Sequence, residues 1–318
     1  MNIDRQLIFP AGTWGQSHAS TLVELADGTV VCSWFAGTRE SAKDVSIYTA
    51  VCRGACWTTP LQINRVCDKP HWNSVLFVDN SMIHLFYKTG PSPASWITWY
   101  STCRDGKEWS IPVELVPGDE TGRGPVKNKP ILLNDGSWCA PGSLENNERW
   151  EAFVDLSTDR GQSWKMFMVP MDGSDFKAQK VRGVIQPSLW ESDTGHIHML
   201  LRSTEGFVFR SDSVDGGKTW TPVKPVSMPN NNSGLDVARR KDGLLAMVCN
   251  PVKGNWAART PLTLFLSKDN GLTWEKAVDL ETEKGEFSYP AVVFSSSGEL
   301  LATYTWKRQS IAFCRISL

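Results

Sequence analysis

Side chains able to do chemistry recur in this chain at one kind of position. Six short apolar segments are each preceded by residues that can hydrogen-bond: His18 in GQSHAS, Trp72 and Asn73 in HWNS, Lys127, Asn128 and Lys129 in PVKNKP, Gln186 in IQPS, Asp236 in NNNSGLD, and Glu286 with Tyr289 in GEFSYP. A second set of charges lies in or beside the next apolar segments along the chain. These are Arg39 and Asp44 in FAGTRESAKDVSIY, Lys88 after LFY, Arg202 ending MLLR and Arg259 opening RTPL. A charge beside an apolar strand is costly unless it meets a counter-ion or reaches a wet cavity. Arg202 and Arg259 can be read in two ways. In one, they pair with protein acids such as Asp236. In the other, they form a cationic floor whose planar, bidentate geometry suits the carboxylate of a sugar. Trp14, Trp72, Trp96 and Trp256 are candidate walls for the apolar face of a pyranose ring, and equally candidates for loop core.

Such residues converge only if the elements that carry them are arranged around a common axis, and the sequence repeats in a way that requires this. An eight-residue pattern occurs three times, as STDRGQSW from Ser157 to Trp164, SVDGGKTW from Ser213 to Trp220 and SKDNGLTW from Ser267 to Trp274. A degenerate copy ends at Trp109 and a remnant at Trp57, so the five tryptophans are separated by 52, 55, 56 and 54 residues. That period is too long for a helical pair and fits one four-stranded propeller blade. Ser, Asp and Gly build a hydrogen-bonded turn, and Trp returns to pack beneath it. Six turns run in register with these corners, at Asp27-Gly28, Asp79-Asn80, Asp135-Gly136, Asp193 to Gly195, Asp242-Gly243 and Ser297-Gly298. Six strand starts against five corners are reconciled if the last blade, from about Glu286 to Leu318, is completed by Arg5 to Phe9. The expected fold is therefore all-β, a six-bladed propeller closed by its N-terminal strand, with residues 1–318 forming one domain. Apolar runs such as TLVEL, SVLFV, GFVFR and TLFLS read as its strands.

Composition narrows the partners. The 318 residues are 41% hydrophobic, enough to bury a large core, and 33 basic against 34 acidic residues leave a net charge of -1 with no long block of either sign. Nucleic acid and anionic membrane are not expected as partners. The N-terminus MNIDRQL has no signal-type apolar core, and no stretch is long enough to span a bilayer. The eight cysteines have neither zinc nor disulfide-scaffold spacing and read as small buried hydrophobes in a reducing cytoplasm. The five histidines are scattered, and neither a metal nor another cofactor is expected.

The Ser-x-Asp-x-Gly-x-x-Trp copies resemble the Asp-boxes of the sialidase-like propellers. HASTLVEL, WFAGTRE, LFYKTGPSP, PVKNKP, IQPSL, MPNNNSGLD, RTPL and GEFSYPAV further resemble the BNR-repeat subgroup of "predicted neuraminidases" over essentially the whole chain. The resemblance implies the sialidase-type propeller fold. Exo-sialidases hold the substrate carboxylate with three arginines, attack with a tyrosine helped by a glutamate, and use an aspartate as acid and base. On that pattern Tyr289 matches the tyrosine, Arg202 and Arg259 the second and third arginines, and Asp44 the acid/base. The first arginine, from a Phe/Tyr-Arg-Ile-Pro segment, has no counterpart, and His18 sits close to its place. The glutamate falls at Gln186, which cannot accept a proton, so the tyrosine lacks its partner unless Glu286 replaces it.

The surviving set also suits β-elimination at a uronic acid. Arginine, with Lys127 or Lys129, would neutralise the carboxylate and the enolate-like charge that develops as the C5 proton leaves. His18 or Tyr289 would take that proton, and the other, or Asp44, would protonate the departing oxygen. The subgroup is similar to propeller lyases that release terminal rhamnose from glucuronate. The first expectation is accordingly an exo-acting uronate lyase, the second a sialidase-like glycoside hydrolase and the third a glycan-binding propeller without catalysis. An acidic oligosaccharide is the expected partner of Arg39, Trp72, Asn73, Lys88, Lys127, Lys129, Gln186, Arg202, Asp236 and Arg259, with His18, Asp44, Glu286 and Tyr289 as the catalytic candidates.

Overall fold

A computed structural model describes residues 1–146, 148–171 and 182–318. Strand β1 (Asn2–Leu7) does not pair with its sequence neighbours. Blade 1 comprises β2 (Gln16–Glu24), β3 (Val30–Gly37) and β4 (Ser46–Arg53), edged by the short β5 (Cys56–Trp57) and β6 (Leu61–Gln62). Blade 2 is β7 (His71–Asp79), β8 (Met82–Thr89), β9 (Ile97–Cys103) and β10 (Val113–Glu114). Blade 3 is β11 (Ile131–Leu132), β12 (Trp138–Glu145), β13 (Arg149–Ser157) and β14 (Lys165–Met168). Blade 4 is β15 (Arg182–Asp193), β16 (His196–Ser203), β17 (Phe207–Ser213) and β18 (Lys224–Pro229), and a short parallel pairing of β13 with β15 fuses it to blade 3. Blade 5 is β19 (Asp236–Arg239), β20 (Leu245–Cys249), β21 (Leu262–Ser267) and β22 (Glu275–Glu281).

Blade 6 holds β23 (Phe287–Phe294), β24 (Leu300–Trp306) and β25 (Ser310–Ser317), and β1 is its fourth strand, with Asn2 opposite Ser317 and Leu7 opposite Ala312. The closing segment is thus Asn2–Leu7, a little earlier than the expected Arg5 to Phe9. Ile8 and Phe9 instead enter the apolar layer between blades 6 and 1.

Alternation along the strands explains why the sequence reads as apolar runs. Leu22, Val30 and Cys32 face blade 6, whereas Val23 and Val31 face blade 2. Val75 and Phe77 face blade 3, while Leu76 between them faces blade 1. With a neighbour on either side, both faces of a blade are buried, and apolar residues dominate them. Six of the eight cysteines are buried in these layers, Cys56 is exposed and Cys67 is half-buried; all eight are free thiols. Among the described residues the one helical element is a 3-10 turn at Pro93–Ser95, and no helix is long and apolar enough to cross a membrane.

The repeated octapeptides form the turns after the third strands. In one, Ser213 Oγ donates to Asp215 Oδ1 at 2.9 Å and accepts from Gly217 N at 2.9 Å, and Asp215 accepts from the backbone of Lys218 and Thr219. Trp220 Nε1 donates to Gly217 O at 2.9 Å. The copies at Ser157 and Ser267 repeat the Ser–Asp and Ser–Gly bonds. Glycine is required at the bend: Gly161 has φ of 86°, and a Cβ there would lie 2.7 Å from the Trp138 ring. Because adjacent strands run antiparallel, these turns lie on the face opposite to the starts of the inner strands. The face left free carries the strand starts and the links between second and third strands.

Buried charges lock the ring together. Asp155 is fully buried and accepts from Arg123 Nε at 3.0 Å, Arg123 Nη2 at 2.5 Å and Gly124 N at 2.7 Å. The same bend presents the carbonyls of Gly122 and Arg123 to Lys88 Nζ. Removing one partner of a buried pair strands the other charge. Arg123→Ala should therefore destabilise the protein by roughly 3–5 kcal/mol, seen as a lower urea midpoint, whereas Arg39→Ala, at an exposed position, should leave the midpoint in place.

Candidate active site

The inner strands do not begin smoothly. Pairing slips by one step between His18 and Thr21, Trp72 and Val75, Ile185 and Ser188, and Ser288 and Ala291. Three of these bulges contain a residue in the left-handed region: Ala19 at φ 54°, Gln186 at 57° and Tyr289 at 51°. A bulge re-aims the side chain beside it, and here it turns strand-start residues toward the axis. The result is a cavity of about 250 Å³. From the strand starts it is lined by His18, Trp72, Asn73, Gln186 and Tyr289, from the second-to-third-strand links by Glu40, Trp96, Trp256, Arg259 and Arg308, and from the strand ends beside those links by Glu145, Trp150 and Arg202.

Arg202 is 2% exposed and lies near the end of β16. Its Nε donates to Asn232 Oδ1 at 2.9 Å, and its Nη1 donates to Tyr289 OH at 2.6 Å and Gln186 Oε1 at 3.1 Å. Its guanidinium also lies over the rings of Trp150, Trp256 and Tyr289, at 5.7, 5.8 and 5.6 Å. These acceptors are all neutral, and among the described residues no carboxylate makes a salt bridge with it. Arg259 packs on the same Tyr289 ring at 5.5 Å and donates to Glu286 Oε1 at 2.6 Å. The two arginines therefore flank one tyrosine, and neither pairs with Asp236.

A third arginine joins them from a link that sequence reasoning does not single out. Arg308, between β24 and β25, donates through Nε to both oxygens of Glu286 at 3.0 Å and through Nη1 to Glu40 Oε2 at 2.6 Å. Burial raises the pKa of Glu286, but the charges of Arg259 and Arg308 outweigh it and hold that carboxyl below its usual range. Glu286 is thereby committed to the arginines.

His18 lies with its ring centroid 4.3 Å from that of Tyr289. Arg308 Nη2 approaches His18 Nε2 at 3.5 Å; since arginine can only donate, Nε2 is the acceptor and Nδ1 carries the proton toward Thr305 Oγ1 at 2.8 Å. Burial first, then the charges of Arg308, Arg259, Arg202 and Lys127, push the His18 pKa well below its ordinary value. The imidazole is neutral at pH 7.

Other expected site residues are placed elsewhere. Lys88 is fully buried, with Nζ donating to Thr98 Oγ1 at 2.6 Å and to the carbonyls of Gly122 and Arg123 at 2.6 and 2.8 Å. Lys127 Nζ donates to Asn128 Oδ1, Leu235 O and Pro290 O, and burial lowers its pKa to about 7. Lys129 pairs with Asp236 at 2.8 Å, and Asp236 also accepts from Ser188 Oγ and from the backbone of Val237 and Val292. Asn128 reaches the carbonyls of Gln186 and Pro187. These four residues tie blades 3 to 6 together at the axis and are absent from the cavity wall. Asp44 is exposed, accepting from Thr38 N and Oγ1, bonds that lower its pKa. Neither it nor Arg39 lines the cavity. Trp14 packs against Phe9, Trp34 and Tyr48 in core, whereas Trp72 and Trp96 form one cavity wall and Trp256, 61% exposed, stands at the rim against Trp150. Among the described residues no group of three or more His, Cys, Asp or Glu is placed to hold a metal ion.

Six blades, octapeptide turns on one face and an arginine-lined hollow on the other define the sialidase-like class of Asp-box propellers. Residues 28–301 match the BNR repeat-like domain, and the chain belongs to that family. Solved structures share the fold at low identity. A Hadza microbial sialidase superposes with a TM-score of 0.81 at 16% identity, over 99% of this chain and 68% of that one. A protein of unknown function from Dyadobacter fermentans gives 0.76 at 16%, over 99% of both chains. Trypanosoma rangeli sialidase gives 0.78 at 15%, over 99% of this chain and 59% of its own. No curated protein sequence matches the chain.

A histidine kept neutral by the fold must be charged on unfolding in acid, so stability should fall as pH drops below about 6.5. His18 shares this with His71 and His84, both lowered to about 4 by burial. Each contributes a slope of roughly 1.4 kcal/mol per pH unit in that window. Urea denaturation at pH 7, 6 and 5 should show the decline, and His18→Gln should make it shallower by about one histidine's share.

Proposed function

We propose that this protein is a carbohydrate-active enzyme that removes a terminal acidic sugar, acting as a sialidase-like glycoside hydrolase. The observation that carries the reading is Arg202, a buried guanidinium with neutral hydrogen-bond partners, facing a cavity that Arg259 and Arg308 share. A permanent charge in that setting favours an anionic guest, and a planar fork favours a carboxylate. A cavity of about 250 Å³ lies at the small end of ligand sites and suits one sugar ring. The tryptophan walls supply apolar surface for that ring. Tyr289, with its hydroxyl on Arg202 and its ring against the guanidiniums of Arg202 and Arg259, is the candidate nucleophile. Sialidases among the structures that share the fold lend support to hydrolysis.

Elimination at a uronic acid is the second reading, and one observation favours it. The Tyr289 hydroxyl has Gln186 nearby through Arg202 and the neutral His18 against its ring, with no carboxylate bonded to it among the described residues. A tyrosine–histidine pair beside a carboxylate clamp can move a proton without a nucleophile.

Incubation with sialylated, glucuronylated and rhamnosyl-glucuronate oligosaccharides, read by mass, separates the readings. Hydrolysis adds one water across the cleaved bond; elimination adds none and leaves an unsaturated uronate that absorbs in the near ultraviolet. Arg202→Met should lower kcat/KM by about 2–5 kcal/mol, or roughly thirty- to several-thousand-fold. Tyr289→Phe should abolish turnover while substrate binding, followed by calorimetry, persists. Release of no sugar from the whole panel by the wild type sinks both readings.

A further inference from the structure

Hydrolysis of a glycoside needs a proton donor for the leaving oxygen, and the geometry limits which group can provide it. Two carboxyl groups line the cavity, Glu40 and Glu145, and a third, Glu286, lies behind its wall on Arg259 and Arg308. Glu286 is held by Arg259, Arg308 and Ser288, and Glu40 by Arg308. Asp44, the aspartate that the family resemblance would make the acid, is exposed, bound to Thr38 and outside the cavity wall. Glu145 differs from all of these. It is the last residue of β12 and sits opposite Trp150 of β13, whose ring packs on Arg202 and against Trp256. Its Oε1 is buried with no hydrogen-bond partner among the described residues. A buried carboxyl oxygen without a partner is costly as a charge and far cheaper as part of a neutral acid.

We propose that Glu145 is the general acid of this site, protonating the glycosidic oxygen as the sugar departs. The assignment rests on the hydrolytic reading above. The anomeric C–O bond breaks with its electron pair passing to the leaving oxygen, which takes the Glu145 proton and departs as an alcohol. Whether Tyr289 or water first reaches the anomeric carbon, one water is consumed overall. Its hydroxyl remains on the released sugar and its other proton returns to the Glu145 carboxylate. The environment fits the task. Burial raises the Glu145 pKa to about 7 against the opposing charges of Arg202 on β16 and Lys88 on β8, while Glu286 stays ionised. Two carboxyls driven apart in this way divide into acid and carboxylate.

The test compares Glu145→Gln with wild type on two substrates of N-acetylneuraminic acid, its 4-methylumbelliferyl glycoside and its galactoside. The phenol leaves without help and the sugar alcohol does not. The assignment expects kcat/KM of the variant to fall by about a hundredfold or more on the galactoside and by less than about tenfold on the aryl glycoside. Turnover of the aryl glycoside also reports that the variant is folded. Wild type should lose activity on the galactoside as pH rises through about 7, and the variant should lack that alkaline limb. Equal losses on both substrates, or an alkaline limb that persists in the variant, overturn Glu145 alone. A wild-type profile flat through pH 7 overturns it without recourse to the variant. A wild type inactive on both substrates sinks the hydrolytic reading and the assignment together.

Discussion

Everything at the centre of this ring is organised around an arginine that cannot lose its charge. Arg202 is buried, yet its hydrogen bonds end on an asparagine, a glutamine and a tyrosine. A guanidinium in low-dielectric surroundings needs compensating dipoles or an opposite charge nearby. Asn232 supplies one dipole, fixed in turn by its own bond to Asn255 at 2.7 Å. The faces of Trp150, Trp256 and Tyr289 supply more. These partners hold the charge in place without cancelling it, so the cavity keeps a positive wall. The depressed His18 pKa comes first from burial and then from the charges of Arg308, Arg259 and Arg202, while the Glu286 carboxylate is held by Arg259 and Arg308.

The fold separates two kinds of work by strand direction. Turns after the third strands carry the Ser–Asp–Gly–Trp corners, whose polar groups are spent on one another. Strand starts and second-to-third-strand links point the other way, and the charged and aromatic groups of the cavity come from these two places. Between the faces lies a polar axis, where Lys127, Lys129, Asn128 and Asp236 connect blades 3 to 6 through carbonyls and one buried ion pair. Buried pairs of that kind are poor sources of net stability but punish misassembly, because a blade out of register strands a charge. The axis thus helps fix the positions from which Gln186 and Tyr289 reach the cavity.

How much of this was legible in the sequence depended on whether a signal was periodic. The blades were, because tryptophan spacing and the six tight turns repeat, and the N-terminal closure followed from six starts set against five corners. Arg202, Arg259, Tyr289, Gln186 and His18 were found because each interrupts or opens an apolar run. Arg308, Glu40, Glu145 and Trp150 were missed since they lie in, or at the strand ends beside, polar links that resemble ordinary surface turns. Their common signal is topological: each occupies the second-to-third-strand link or its edge, as Arg202 and Arg259 do, and counting by blade would have marked them. Lys88, Lys127, Lys129 and Asp236 show the opposite failure. A charge beside an apolar strand announces that it must be satisfied, but sequence does not reveal whether a carbonyl, a neighbour or a guest will satisfy it.

Glutamine at position 186 connects the buried arginine to the tyrosine's chemistry. Its amide oxygen lies 3.1 Å from Arg202 Nη1, where a carboxylate would form an ion pair and neutralise the guanidinium. With an amide instead, the tyrosine loses a proton acceptor, and the cationic wall loses its internal counter-charge. The two effects act on different stages of a reaction. On the hydrolytic reading proposed above, the first removes base assistance to the Tyr289 hydroxyl. The second leaves the positive field available to an incoming carboxylate, because among the described residues no carboxylate forms a salt bridge with Arg202. On that reading, a single neutral side chain shifts the site from nucleophile activation toward anion capture, and leaves proton transfer to a carboxyl that makes no ion pair with the arginines.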